Sequence, residues 1–301
     1  MASTKFRVVV CGASGQTGRS IMDQLLASPG QFETVDLARP ESVSKEIRQD
    51  FARRGAVVKE INVNDTQVVP TLLTVADVVI SCLIFAQKAE AESLIDASHK
   101  ACVGCKGPEE FQHRRKRLYL PYTAMDVGFW YQVSIPRVPS GRLNKGLTFP
   151  DDVLLGDGNT RTILTDIADI GKYVVRIISD PCTLNRLVCA YNEVTTQNKF
   201  MAPVEELSGE TIPKKYQSKG ELEEIISPVA NELAQNPNNG GVLLKKFVMY
   251  PEHAKYLGYL DANELYPDVE YATAKEFIRQ LLKGGRDAVL YYGRDFVVNR
   301  D

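Results

Sequence analysis

The chain has 301 residues, 44% hydrophobic and 25% charged, with 36 Lys and Arg against 38 Asp and Glu. That is the composition of a soluble globular protein with enough apolar material to offset the entropy of ordering it, which excludes intrinsic disorder. A formal charge of −2 gives no electrostatic basis for binding nucleic acid or a membrane surface.

The first residues lead straight into glycines, so they do not read as a secretory signal. The longest apolar stretch, Val68 to Ala86, contains Pro70 and Asp77 and reads as buried secondary structure rather than a membrane span. Six scattered cysteines imply no disulfide framework, and a reducing, cytoplasmic compartment is expected.

In chain order, Phe6 to Cys11 is a β-branched run that reads as a strand. Gly12-Ala13-Ser14-Gly15-Gln16-Thr17-Gly18 follows at once, and then Ile21, Met22, Leu25 and Leu26 at helical spacing. Strand, glycine turn and helix in that order form the context of a dinucleotide fingerprint, here spaced G-x-x-G-x-x-G. The glycines serve a tight turn, backbone approach to a pyrophosphate and close helix packing, and the phosphates sit at the positive helix end. All seven residues of the turn are therefore candidate cofactor ligands, with Ser14, Gln16 and Thr17 able to add hydrogen bonds.

Thr34 to Arg39 reads as the second strand, stopped by Pro40. An arginine at its tip suits the 2′-phosphate of NADP, whereas an acidic residue would suit the NAD ribose. Arg39 holds the tip, Lys45 follows, and Asp36 lies earlier and points elsewhere, so NADP(H) is the expected cofactor. Val57 to Val63 reads as the third strand, with Asn62 and Val63 near the adenine edge. Asp77 to Leu83 reads as the fourth, with Cys82 and Leu83 lining the cleft. Alternating strands and helices predict an α/β fold with a doubly wound, parallel, Rossmann-like sheet and a smaller interleaved α/β substrate-binding part.

Further on, a strand over Thr123 to Val127 is followed by Phe129, Trp130, Tyr131 and Gln132. Its C-terminal end faces the ligand crevice, which makes Trp130 and Gln132 candidates. Thr160 to Ile178 carries a helix ended at Ser179-Asp180-Pro181, with Asp166 and Asp169 as caps or turn ligands. Arg186 to Tyr191 reads as a strand returning to the sheet. Pro203 to Ser208, Ser218 to Ile226 and Thr273 to Leu282 read as helices, and Asn236 to Gly241 as a turn. The division expected is a cofactor domain over residues 1–150 and a substrate part over 151–301.

Several stretches together carry a resemblance: GASGQTG at 12–18; Leu120-Pro121-Tyr122-Thr123 through Gln132; Leu164 to Val175 with its Asp169-Ile170-Gly171; Thr183-Leu184-Asn185; and Glu206 to Ile212. On these the chain resembles the NmrA-like, or isoflavone-reductase-like, branch of the atypical short-chain dehydrogenases, especially fungal reductase-like members. The resemblance implies an NADP(H)-binding Rossmann-like domain and an NADPH-dependent reductase of a small organic metabolite, with a role in specialised metabolism. It also leaves open a non-catalytic NADP sensor that binds a transcription factor as a protein partner. Reductases of the family carry a lysine about a dozen residues before the LPYT-like segment. This chain has only Phe85 to Leu120 for a helix, a fifth strand, a loop and the lysine helix, about half the usual length. Ala101 to Cys105 reads as a remnant of the fifth strand. Pro108 bars a helix at the usual lysine position, which leaves Lys116 as the candidate catalytic lysine.

Three other patterns have plainer readings. Tyr271-x-x-x-Lys275 has the spacing of the short-chain dehydrogenase pair but opens a C-terminal amphipathic helix, so it reads as a chance match. His99, Cys102, Cys105 and His113 have a metal-ligand flavour without a second C-x-x-C, and no metal is expected. His113 to Arg117 reads as a solvated basic run.

Overall fold

A computed structural model describes residues 5–83, 87–102, 104–106, 118–143, 153–218, 220–221, 224 and 251–284. Its elements run β1 (Phe6–Cys11), α1 (Gln16–Ala27), β2 (Phe32–Ala38), α2 (Glu46–Arg53), β3 (Val57–Glu60), α3 (Val68–Leu73), β4 (Val78–Ser81), α4 (Lys88–Lys100), β5 (Gly104–Lys106) and β6 (Tyr122–Asp126). There follow β7 (Phe129–Trp130), α5 (Tyr131–Ser134), β8 (Val153–Leu155), β9 (Thr162–Thr165), α6 (Ile167–Ile177), β10 (Arg186–Cys189), β11 (Glu193–Thr195) and α7 (Gln197–Ser208). The last are β12 (Lys215–Gln217), α8 (Pro251–Tyr256), β13 (Leu260–Asp261), α9 (Ala262–Leu265) and α10 (Ala274–Leu282).

The chain divides into two bodies. The first comprises Met1–Asp126, Ile170–Ala190 and Gly258–Val269; the second comprises Val127–Asp169, Tyr191–Leu257 and Glu270–Asp301. The first body thus ends its opening stretch at Asp126 rather than near residue 150, and takes back two later stretches that complete its sheet.

The first body holds an eight-stranded sheet in the order β13-β10-β6-β5-β4-β1-β2-β3, and its pairings are parallel. Parallel strands are covered on both faces, which is why Val8, Val9, Val10 and Cys11 are all buried with no polar alternation. One core cluster joins Val9, Val35, Leu37, Val79, Leu73, Leu94 and Ile95. A second gathers Tyr173, Ile177, Val188, Ala190, Ala262 and Tyr266. The strand order reverses between β1 and β4, so the ends of these two strands flank a topological switch point, where open α/β sheets place their ligands.

The fifth strand survives the shortening. β5 is only three residues long, yet Gly104 to Lys106 pairs with β4 on one side and β6 on the other. The sheet is therefore continuous through its centre and pays no unpaired-edge cost there. β10 returns to the sheet as expected, taking its place beside β6 and ending at Cys189 rather than Tyr191, while β13 at the edge is too short to stand out from sequence.

The second body has a three-stranded sheet, β11-β9-β7, and a two-stranded one, β12-β8. Its core packs Tyr131, Leu154, Leu164, Phe200, Val204, Phe277 and Ile278. Helix α7 starts six residues before the expected Pro203. Thr196 caps it by accepting from the Lys199 N–H, and Gly209 ends it in the left-handed region. Pro203 stands inside the helix, and the buried face of Phe200, Met201 and Val204 offsets the missing backbone bond. Helix α10 begins with a full capping box of Thr273 and Glu276. The readings of Ser218 to Ile226 and Asn236 to Gly241 fall largely or wholly outside the described residues. Among the described residues no helix is long and apolar enough to cross a membrane.

Candidate active site

Within the first body the glycine turn leaves the C-terminal end of β1 and enters α1. Gly12 has φ +85°, and a Cβ there would lie 2.9 Å from the Cys82 carbonyl oxygen at the end of β4. Both the dihedral and the space demand glycine. Gly15 donates its N–H to the Gly12 oxygen at 3.0 Å, which closes the turn. A Cβ on Gly18 would sit 2.2 Å from the Gly12 oxygen, so the third glycine brings the helix onto the turn. Helix α1 has no side-chain cap and no acidic residue in its first turn. Its positive end and its unpaired N–H groups are therefore presented to an anion. Ser14, Gly15, Gln16 and Thr17 stay partly exposed around this cradle, whereas Ala13 is buried. The shape and charge fit the pyrophosphate of a dinucleotide, and an added methyl at Gly12 or Gly18 would collide with the backbone that forms the turn.

At the end of β2, Arg39 is exposed and pairs with Glu41 at 3.1 Å. Lys45 is also exposed and precedes the first turn of α2. Two cations beyond a strand that neighbours β1 suit a phosphate on the adenosine ribose. Asp36, two residues before the strand ends, is fully buried and paired with Arg48 of α2. Burial pushes its carboxyl up, against the pull of Arg48. It is thus not presented to a ribose.

β3 ends at Glu60 rather than Val63, because Asn62 and Asp65 take the backbone into side-chain turns: Asn62 accepts from the Asn64 N–H and Asp65 from Gln67 and Val68. The Val63 and Leu83 side chains are core. Cys82 donates its N–H to the Cys11 oxygen at 2.9 Å. Desolvation pushes its thiol up to about 12, with Cys11 adding to the effect, so it stays a neutral thiol. Lys116 and His113 lie outside the described residues.

Trp130 and Gln132 belong to the second body, in a region where sequence reasoning missed a buried polar network. Gln132 Nε2 donates to Asp166 at 2.8 Å, and Asp166 also accepts from the Ala168 N–H. Asp169 accepts from Asn192 at 2.7 Å and from the Ala272 N–H at 2.9 Å. Tyr131 is fully buried, and its hydroxyl donates to the Ala272 carbonyl at 3.4 Å. Burial holds its phenol well above the ordinary range, chiefly by desolvation and then by nearby Glu193, Asp166 and Asp169. Asp166 and Asp169 are thus structural acceptors that tie three separate chain stretches together, as their sequence context suggests. The hint available in sequence was an amide, Gln132 or Asn192, beside strands with otherwise apolar contents. Tyr271 and Lys275 do not act as a pair: Tyr271 is exposed and Lys275 bonds Glu206 at 2.7 Å.

The model of the NmrA-like family matches residues 4–117. Asnovolin J 5′,6′-dehydrogenase of Aspergillus novofumigatus is 35% identical over 92% of this chain and 95% of its own length. Phenylcoumaran benzylic ether reductase of Betula pendula is 25% identical, covering 92% of this chain and 99% of its own. Leucoanthocyanidin reductase from Vitis vinifera, solved as its NADPH complex, matches the fold with a TM-score of 0.73 at 18% identity, over 92% of this chain and 99% of that one. With a cradle that fits a dinucleotide and a relative of this identity over most of its length, the chain belongs to the NmrA-like family, in its isoflavone-reductase-like branch.

Proposed function

We propose that this protein is an NADPH-dependent oxidoreductase that reduces a small organic metabolite, with a place in specialised metabolism. The observation that supports it best is the cradle of Gly12, Gly15 and Gly18 before an uncapped α1, beside Arg39 and Lys45. Its relatives over nearly the whole length are named as a dehydrogenase and reductases, and the leucoanthocyanidin reductase was solved with NADPH. NADPH supplies the hydride; the protein binds, orients and tunes the charge around it.

In this reading the α1 end and Ser14, Gln16 and Thr17 hold the pyrophosphate. Arg39 and Lys45 pair with the 2′-phosphate, and Asn62 with the backbone near Val63, Cys82 and Leu83 borders the adenosine side. Trp130, in the second body, offers its ring to a planar substrate. Lys116 supports proton transfer. Gln132 spends its side-chain amide on Asp166 and the Ile167 N–H, so it orders the second body rather than acting as a direct ligand.

The test is NADPH oxidation, followed by the cofactor's absorbance, against a panel of carbonyl and enone metabolites. Turnover on at least one, abolished in Lys116→Ala with NADPH binding kept, is the expected result. Tight NADP(H) binding with no turnover on any compound would replace this reading with that of a sensor.

A further inference from the structure

Arg48 is a buried cation in a place where an apolar residue would serve. Helix α2 has eight residues, and only Arg48 and Phe51 on it are buried. The Arg48 side chain is 4% exposed, and the Asp36 carboxylate it meets is not exposed at all. Asp36 is fixed in turn by β2, where it stands opposite Val10 of β1. A single desolvated ion pair is poor evidence of stabilisation, since an apolar pair of the same volume would often do as well. The pair is better explained by what else Arg48 reaches: its Nη2 donates to the Ser14 hydroxyl oxygen in the glycine turn at 3.3 Å.

The direction of that bond matters. A guanidinium has only donors, so Ser14 Oγ accepts, and the serine O–H remains available to donate. Ser14 lies between Gly12 and Gly15, partly exposed, at the mouth of the anion cradle. A hydroxyl polarised by a cation and free to donate is suited to a phosphate oxygen. Asp36 cancels most of the guanidinium charge, so Arg48 contributes geometry more than net charge.

We propose that Arg48, held by Asp36, is a positioning residue for the diphosphate of the cofactor, acting by orienting the Ser14 hydroxyl toward it. The inference rests on the dinucleotide reading of the glycine turn. Lysine would not substitute, because one ammonium on a flexible stem lacks the fork that meets Asp36 and Ser14 together.

A double-mutant cycle tests it, with NADPH dissociation constants measured by calorimetry on the full chain. Ser14→Ala and the paired Asp36→Asn/Arg48→Met variant should each weaken NADPH binding about tenfold. Combining all three substitutions should weaken it no further, because the two routes remove one interaction. Arg48→Lys keeps a cation against Asp36 and should show the same weakening with a near-unchanged melting temperature, which covers the case where the paired variant does not fold. A paired variant and an Arg48→Lys variant that bind NADPH as tightly as the parent would overturn the inference alone. So would effects of Ser14→Ala and Arg48→Lys that multiply. Failure of the parent protein to bind any dinucleotide would instead overturn the reading beneath it.

Discussion

Gly171, in the first half of α6, offers a sharp test of how the first body is packed. A Cβ built there would lie 2.1 Å from the Ser20 carbonyl oxygen of α1 and 2.8 Å from Gln24 Cγ. The Gly171 N–H also donates to Ser20 Oγ at 3.0 Å. Gly171→Ala must push α1 and α6 apart by about 1 Å to restore a normal contact, and a gap of that size forfeits a quarter to a half of each affected contact. Neither helix can yield freely, since Ile21, Met22 and Leu25 anchor one and Tyr173 and Ile177 the other. Overpacking of this kind costs roughly 1–3 kcal/mol, and the lost hydrogen bond about 1 more. Alanine's better helix propensity returns about 1 kcal/mol. The net is about 1–3 kcal/mol, or a melting temperature lower by roughly 2–12 °C for a body of this size. Gly30→Ala is the control, because nothing lies within 4 Å of its Cβ. Calorimetric melting of both variants decides the matter. A Gly171→Ala protein as stable as the parent would refute the close approach of α1 and α6.

Three further outcomes are expected. Arg39→Ala should weaken NADPH binding ten- to a hundredfold and leave NADH binding within about twofold, as charge-assisted phosphate pairing predicts; equal losses for both cofactors would count against the assignment. Tyr271→Phe and Lys275→Ala should leave kcat unchanged, with Lys275→Ala costing at most about 1 kcal/mol from an exposed ion pair. A loss of turnover in either variant would restore the pair to the mechanism. Stability should also fall on the acid side. The Thr273 N–H holds the Glu276 carboxyl below its usual value of 4.5, so its contribution is present above that pH and is lost as pH falls through the lowered folded value. Asp65, Glu205 and Glu210 are shifted the same way by backbone N–H donors. The melting curves of Glu276→Gln and the parent should differ most near neutral pH and converge below pH 4.5. A constant gap across that range would contradict the linkage.

Much of the first body was legible because its signals are local. Phe6–Cys11 and the glycine turn declare a strand and a phosphate turn within a dozen residues, and the burial of consecutive valines marks a parallel sheet. Thr273 and Glu276 announce α10 in the same way. What stayed hidden depends on partners distant in sequence. The remnant of a fifth strand was legible at Ala101 to Cys105, but its place at Gly104–Lys106 is set by pairing with Val78 and Tyr122 on either side rather than by local preference for extended backbone. Arg48 looks like one more surface arginine until Asp36 and Ser14 are seen around it. The network of Gln132, Asp166, Asp169 and Asn192 joins residues up to sixty apart, beyond the reach of any pattern along the chain. Pro203 misled for a different reason: proline is favoured at the first helical position, yet here packing of Phe200 and Val204 carries the helix through it.

The most direct test of the account is a calorimetric titration of the purified full chain with NADPH, NADP+, NADH and NAD+. The account predicts one site per chain, micromolar or tighter for NADPH, and at least tenfold weaker for NADH, as loss of the 2′-phosphate pairing requires. Binding of none of the four, or equal binding of NADH and NADPH, would contradict it.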